Sequence, residues 1–172
     1  MADIRKYGKF LIDLNIEGGY SNRKSDRGGP TYRGITLNTF RNFYGQHMTI
    51  KDLKNMTDDQ WWHILRKGYW DKCKGDDIAS QSVAEIFVDW MFNSGFVAIQ
   101  KVQSFLGVKP DGVVGPITLN AINSYDPDVL FRKIYEMRFN FFHQIVRNDK
   151  TNTQKDNLEG WLNRLSKFTY QE

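Results

Sequence analysis

The stretch DIRKYGKFLIDLNIEGGYSNRKSDRGGPTYRGIT, residues 3–36, sets the reading of the fold. Its apolar residues Ile4, Tyr7, Leu11 and Leu14 recur at three- and four-residue steps, which predicts a helix from Asp3 to Ile16 with one buried face. Gly18-Gly19 then ends that helix, because glycine accepts the left-handed backbone of a C-terminal cap. Between Tyr20 and Ile35 stand Gly28, Gly29, Pro30 and Gly34. Helix is costly there, so loops or short strands are predicted.

Outward from this stretch the chain reads as helix. Helix resumes after Thr36. Thr57 with Gln60 forms a capping box that opens an aromatic helix, Trp61 to Trp70. Ala79 to Phe92 is a largely apolar helix, central to the core, interrupted by Asn93-Ser94-Gly95 and continued from Val97 to Leu106. Lys109-Pro110-Asp111-Gly112 is a tight turn, and Pro116 suits the first turn of a short helix. Asp126-Pro127 caps a long helix to about Val146, and Trp161 to Phe168 makes a last short one. The fold class is mostly α, with a short loop or strand region after the first helix.

Composition narrows the classes. Apolar residues make up 40% of the 172 residues and charged ones 26%, enough for a core without low-complexity tracts. Disorder is expected only in the polar stretch Asn148 to Asn157. The lone Cys73 excludes an internal disulfide. His47, His63 and His143 lack partners at metal-ligand spacing, so neither a metal nor another cofactor is expected. The first residues contain no signal-peptide core, and no run of eighteen apolar residues suggests membrane insertion. The expectation is a chain made in the cytoplasm without a signal peptide. A net charge of +4, with a pI of about 9.1, suits an anionic polymer such as nucleic acid or bacterial cell wall.

Chemistry concentrates at Glu17-Gly18-Gly19-Tyr20. A carboxylate at the negative end of a helix dipole, close to an aromatic ring, is pushed toward its protonated form. A general acid needs that state near neutral pH; the plain alternative is a solvent-facing helix end. Asp26, nine residues on, fits the second carboxylate of glycoside hydrolysis, which activates water or steadies the cationic transition state. It equally fits a turn before Gly28-Gly29. The Thr31 hydroxyl is a candidate to orient the water, with Thr36 as competitor. Among the aromatics, Trp90 belongs to the core, while one of the adjacent Trp61 and Trp62 has room to be exposed. Asn93 offers its amide to an acetamido group or caps the turn that follows.

The run Glu17-Gly18-Gly19-Tyr20, then Asp26-Arg27-Gly28-Gly29-Pro30-Thr31 and Gly34-Ile35-Thr36, resembles the signature of glycosyl hydrolase family 108. That family comprises lysozyme-like N-acetylmuramidases of phage and prophage lysis cassettes and of secretion-activating proteins. Farther on, Asn93-Ser94-Gly95, Val102-Gln103-Ser104-Phe105-Leu106-Gly107-Val108, Asp111-Gly112-Val113-Val114-Gly115-Pro116 and Thr118 resemble the predicted peptidoglycan-binding domain paired with it. The second set can also be purely architectural.

The resemblance implies a lysozyme-like catalytic region at 1–92 and a peptidoglycan-binding region at 93–168 packed on the same core. It implies peptidoglycan as substrate, with Glu17 as the catalytic acid. Asp26 and Thr31 complete the catalytic candidates, and Tyr20, Tyr32, Trp62 and Asn93 are the substrate-binding candidates. Action would be at the cell wall or periplasm after lysis or export, through a holin or another export partner.

Two other classes stand beside this reading. A non-catalytic wall-binding or secretion-assisting protein would keep the aromatics and the charge without needing an ionisable Glu17. A helical nucleic-acid binder would gather bases on one helix, but Arg132, Lys133 and Arg138 are mixed with Glu136 and apolar residues.

Overall fold

The computed structural model describes residues 1–13, 19–22 and 28–171. By internal contacts the chain forms two compact units, Arg5–Gly68 and Met1–Ile4 with Tyr69–Glu172. Helix α1 (Ile4–Asp13) buries Ile4, Tyr7 and Leu11, the predicted face. Leu14, the fourth residue of that face, lies outside the described residues.

The glycine-rich region folds as a three-stranded antiparallel sheet ordered β1 (Tyr20–Ser21), β2 (Thr31–Tyr32), β3 (Ile35–Thr36). Strands β2 and β3 are joined by Arg33-Gly34, with φ of 49° and 76°. A two-residue type I′ hairpin needs positive φ at both central positions. Arg33 carries a Cβ and resists that geometry. Its carbonyl is held by the indole N–H of Trp61 at 3.0 Å.

Helix α2 (Leu37–Tyr44) starts at Thr36, whose hydroxyl accepts the Thr39 N–H at 3.1 Å. Helix α3 (Ile50–Lys54) starts from a Thr49–Asp52 capping box, and α4 (Asp58–Ile64) from the predicted Thr57–Gln60 box. The aromatic helix therefore begins at Asp58, earlier than the predicted Trp61. It also changes character, because Leu65–Trp70 is π-helical. The wider turn delivers Trp70 to a fitted seat, where its indole N–H donates to Asp76 at 2.8 Å. A Cβ on Gly75 would come within 2.3 Å of its ring.

In the larger unit, α5 (Gln81–Ser94) is capped by Ser80 and packs against α6 (Phe96–Phe105) and α8 (Pro127–Asn148). It buries Ile86, Phe87, Val88 and Trp90, as its apolar sequence predicts. Helix α7 (Pro116–Ser124) carries Pro116 in its first turn, and Asp126 caps α8 by accepting the Val129 N–H at 3.0 Å. The boundary between the units thus lies inside region 1–92, since α5 belongs with the helices that follow it.

The last helix, α9 (Lys155–Leu165), begins six residues before the predicted Trp161 and ends before Phe168. The polar stretch expected to be disordered is organised instead by Asp149. Its carboxylate accepts the Thr151 hydroxyl at 2.6 Å and the Gln154 N–H at 2.7 Å. Those bonds hold the Asp149 pKa down at about 2. A local side-chain acceptor of this kind is what turns a polar run into a defined connection.

The core of the larger unit also holds an ion cluster that the sequence reading does not address. Arg138, which the sequence shows mixed with acidic and apolar residues, is fully buried and bonded to buried Asp89 at 2.5 Å. Arg164 of α9 reaches the same carboxylate at 2.7 Å. Burial alone would raise the Asp89 pKa, but the two guanidinium charges overcome it and hold the group at about 2. Arg132 and Lys133 pair with Asp128 and Glu136 on their own helix. The basic residues of α8 are thus mixed with acidic partners, as the sequence reads.

A second buried polar centre, Gln103, fixes the turn-rich motif. Its amide nitrogen donates to Asp111 Oδ1, the Val113 carbonyl and the Thr118 hydroxyl, and its oxygen accepts the Gly112 N–H at 2.8 Å. These residues are architectural, as their turn chemistry predicts. Among the described residues no helix is long and apolar enough to cross a membrane.

Candidate active site

Glu17 and Asp26, the two candidate carboxylates, lie outside the described residues. Their chain positions relative to the sheet are nonetheless defined. Glu17 stands three residues before Tyr20, and Asp26 falls within the connection from β1 to β2. The sheet is therefore the frame to which both are joined.

Register decides which side chains share a face. Tyr20 lies opposite Tyr32, and Tyr32 opposite Ile35; Ser21 lies opposite Thr31, and Thr31 opposite Thr36. Cross-strand partners project to the same side. The first face therefore grades from fully buried Ile35 through half-buried Tyr32 to exposed Tyr20. Such a gradient presents aromatic edges while anchoring one end of the row. The Lys54 ammonium sits 4.1 Å from the Tyr20 ring centroid, a cation–π contact that limits how the ring swings.

The second face carries the hydroxyls. Thr31 donates to the Gly29 carbonyl at 2.9 Å. With its proton committed, the Thr31 oxygen keeps acceptor capacity. Thr36, the competitor for that task, uses its oxygen as the α2 cap and donates to the Thr39 hydroxyl at 3.0 Å. Both bonds are architectural.

Trp62 is half-buried rather than fully presented. Its ring lies against α1, where a Cβ on Gly8 would meet it at 2.1 Å, and it meets Trp61 edge-on with centroids 5.2 Å apart. Trp61 is the buried partner of the pair. The Arg33 guanidinium lies over the Trp61 ring at 4.9 Å and pairs with Asp58 at 2.6 Å. The ion pair is open to water at Asp58 and contributes at most about 1 kcal/mol. Its effect is to orient the hairpin turn. Arg33 and Lys54 were not singled out in the sequence, where neither stands in a motif; only their contacts reveal them.

Asn93, at the end of α5, belongs to the other unit. Its amide nitrogen donates back to the Asp89 carbonyl at 2.7 Å and to the Asp89 carboxylate at 3.3 Å. The following turn is capped instead by the Gly95 N–H bonding to the Met91 carbonyl. Among the described residues no group of three or more His, Cys, Asp or Glu side chains is arranged to hold a metal ion.

A mostly helical chain with a small antiparallel sheet after its first helix has the lysozyme-like arrangement. Residues 12–95 match the glycosyl hydrolase 108 family, and residues 97–166 match the predicted peptidoglycan domain. The two matches follow one another in order and together span residues 12–166. It is also similar to the solved structure of Brucella abortus SagA. The two share 28% identity and a TM-score of 0.80, with 96% of this chain and 92% of that chain covered. No curated protein matches the sequence.

Proposed function

We propose that the protein hydrolyses the glycan strands of bacterial peptidoglycan at the β-1,4 bond between N-acetylmuramic acid and N-acetylglucosamine. The observation that carries this reading is the order of the two family matches. A glycoside hydrolase domain containing Glu17, Asp26 and Thr31 is followed directly by a peptidoglycan domain. We assign catalysis to region 1–92 and wall binding chiefly to 93–168.

In this reading Glu17 protonates the glycosidic oxygen as the bond to the anomeric carbon breaks. Water then adds to that carbon, giving up its proton. Asp26 accepts that proton or steadies the positive charge on the sugar. The Thr31 oxygen accepts a hydrogen from the water and so fixes its approach. Tyr20 and Tyr32 offer ring surface to the sugar faces and Trp62 an apolar edge; in the other unit Asn93, its amide nitrogen held by Asp89, has its amide oxygen for an acetamido N–H.

The test has two parts. Mass spectrometry of digested walls should find N-acetylmuramic acid at the new reducing ends, and N-acetylglucosamine there would refute the bond assignment. Glu17→Gln should abolish wall clearing while circular dichroism and melting temperature stay unchanged. Substantial lysis by a folded Gln variant would remove Glu17 from its role. Absence of lysis in the unaltered protein, with wall binding intact, would favour a non-catalytic binder.

A further inference from the structure

Helices α6 and α8 both pack on α5, and a groove of about 470 Å³ opens between them. That volume is within the range of small-molecule sites, ~300–1,000 Å³. One side is formed by Lys101 and Phe105 of α6, the other by Met137, Asn140, Phe141 and Gln144 of α8. Each set falls at helical spacing, so each is a single stripe on its helix. The core stripe of α8 is a different one, with Leu130, Ile134, Arg138 and Phe142 buried.

The groove stripe mixes rings with amides and one cation, and its members are half-buried or exposed. Its rings are held in place. Phe141 rests on Trp90 of α5 with centroids 5.9 Å apart, and the Lys101 ammonium is 5.3 Å from the Phe141 centroid. Phe105 packs on Tyr125 at 5.4 Å. Fixed rings beside two amides one helical turn apart suit an acetamido sugar: ring faces cover apolar C–H surface, and Asn140 and Gln144 supply donor and acceptor to the acetamido group. Lys101 adds a demand for negative charge that an uncharged glycan lacks.

We infer that the α6–α8 groove binds an acetamido sugar carrying an anionic peptide stem, the muramyl-peptide portion of peptidoglycan. The inference takes from the proposed function only that peptidoglycan is the substrate. Cleavage and groove binding are measured separately, so either can fail without the other.

The experiment uses the full-length Glu17→Gln chain, isotope-labelled, to prevent turnover. It is titrated with a purified disaccharide-tetrapeptide muropeptide and, separately, with chitotetraose, which has the acetamido groups without the carboxylates. The muropeptide should move the side-chain amide resonances of Asn140 and Gln144, with chitotetraose binding there at least about tenfold more weakly. Lys101→Glu should weaken the muropeptide about tenfold, as expected for loss of one charge-assisted hydrogen bond, and leave chitotetraose unaffected. The double variant Asn140→Ala/Gln144→Ala, at two exposed positions, should weaken both probes and serves if Lys101→Glu does not fold. Unmoved amide resonances, equal affinity for the two probes, or variants that bind like the parent would overturn the assignment.

Discussion

Replacing Asp89 by asparagine keeps the side chain's shape and removes the charge that meets the guanidinium groups of Arg138 and Arg164. Arg138 is fully buried and Arg164 nearly so, with 12% of its side chain exposed. Truncating one member of a buried ion pair leaves an uncompensated charge, at a cost of about 3–5 kcal/mol. For a protein of this size that corresponds to a fall in melting temperature of about 6–20 °C. The pH dependence gives a second, smaller quantity. The folded Asp89 carboxyl has its pKa at about 2, below the ordinary value of 3.8. It binds a proton less readily than in the unfolded chain, so its contribution of about 2 kcal/mol is present above pH 4 and lost as pH falls toward 2. The two figures differ because protonation is compared with a charged reference, whereas Asn also changes the hydrogen bonds to both arginines. Urea unfolding of the unaltered and Asp89→Asn proteins at several pH values should show a gap of at least about 3 kcal/mol at pH 7 that narrows below pH 4. A gap under about 1 kcal/mol at neutral pH, or one that stays constant down to pH 2, would refute the reasoning.

Gly8→Ala should destabilise the smaller unit by about 1–2 kcal/mol, because its Cβ would lie 2.1 Å from the Trp62 ring. Combined with Trp62→Ala the same change should become neutral or stabilising, since alanine favours helix by up to about 1 kcal/mol; an additive double-mutant cycle would disprove the clash. Gln103→Leu strands the buried Gly112 N–H and should cost about 3 kcal/mol. Hydrogen exchange at Gly112 should accelerate, and protection equal to the parent's would count against the hub. Asp26→Asn should lower turnover by about 10²–10⁴ if Asp26 acts on water or on the cation, with wall binding retained. A nearly silent Asn variant would make Asp26 a turn residue.

Local chemistry was legible in the sequence. Thr36, the Thr57–Gln60 box, Pro116 and Asp126-Pro127 each start a helix where expected, because a cap needs only residues within one turn of itself. The Thr49–Asp52 box carries the same local signal. What a sequence hides is partnership across distance. Asp89 meets Arg138 and Arg164 at separations of 49 and 75 residues, so nothing local marks the cluster. The early start of α9 was hidden for another reason: no side chain caps it at Gln154. In the candidate site the glycines and proline mark a region of loops or short strands between Tyr20 and Ile35, without showing which residues pair. The contacts made by Arg33 and Lys54 were not readable, because they depend on where α3 and α4 lie. The sequence also singled out the two carboxylates, and their residues lie outside the described part of the structure.

Each strand of the small sheet is two residues long. So short a ladder does not persist in water by itself. Here it is secured from outside, by the Trp61 indole on the Arg33 carbonyl, by Lys54 against Tyr20, and by α2 beginning where β3 ends. The motif that made the sequence recognisable is therefore not portable. Grafted into another scaffold as residues 17–36, it would carry the carboxylates but not the frame that holds their neighbours. A working transplant must bring α2, α3 and α4 along with the loop.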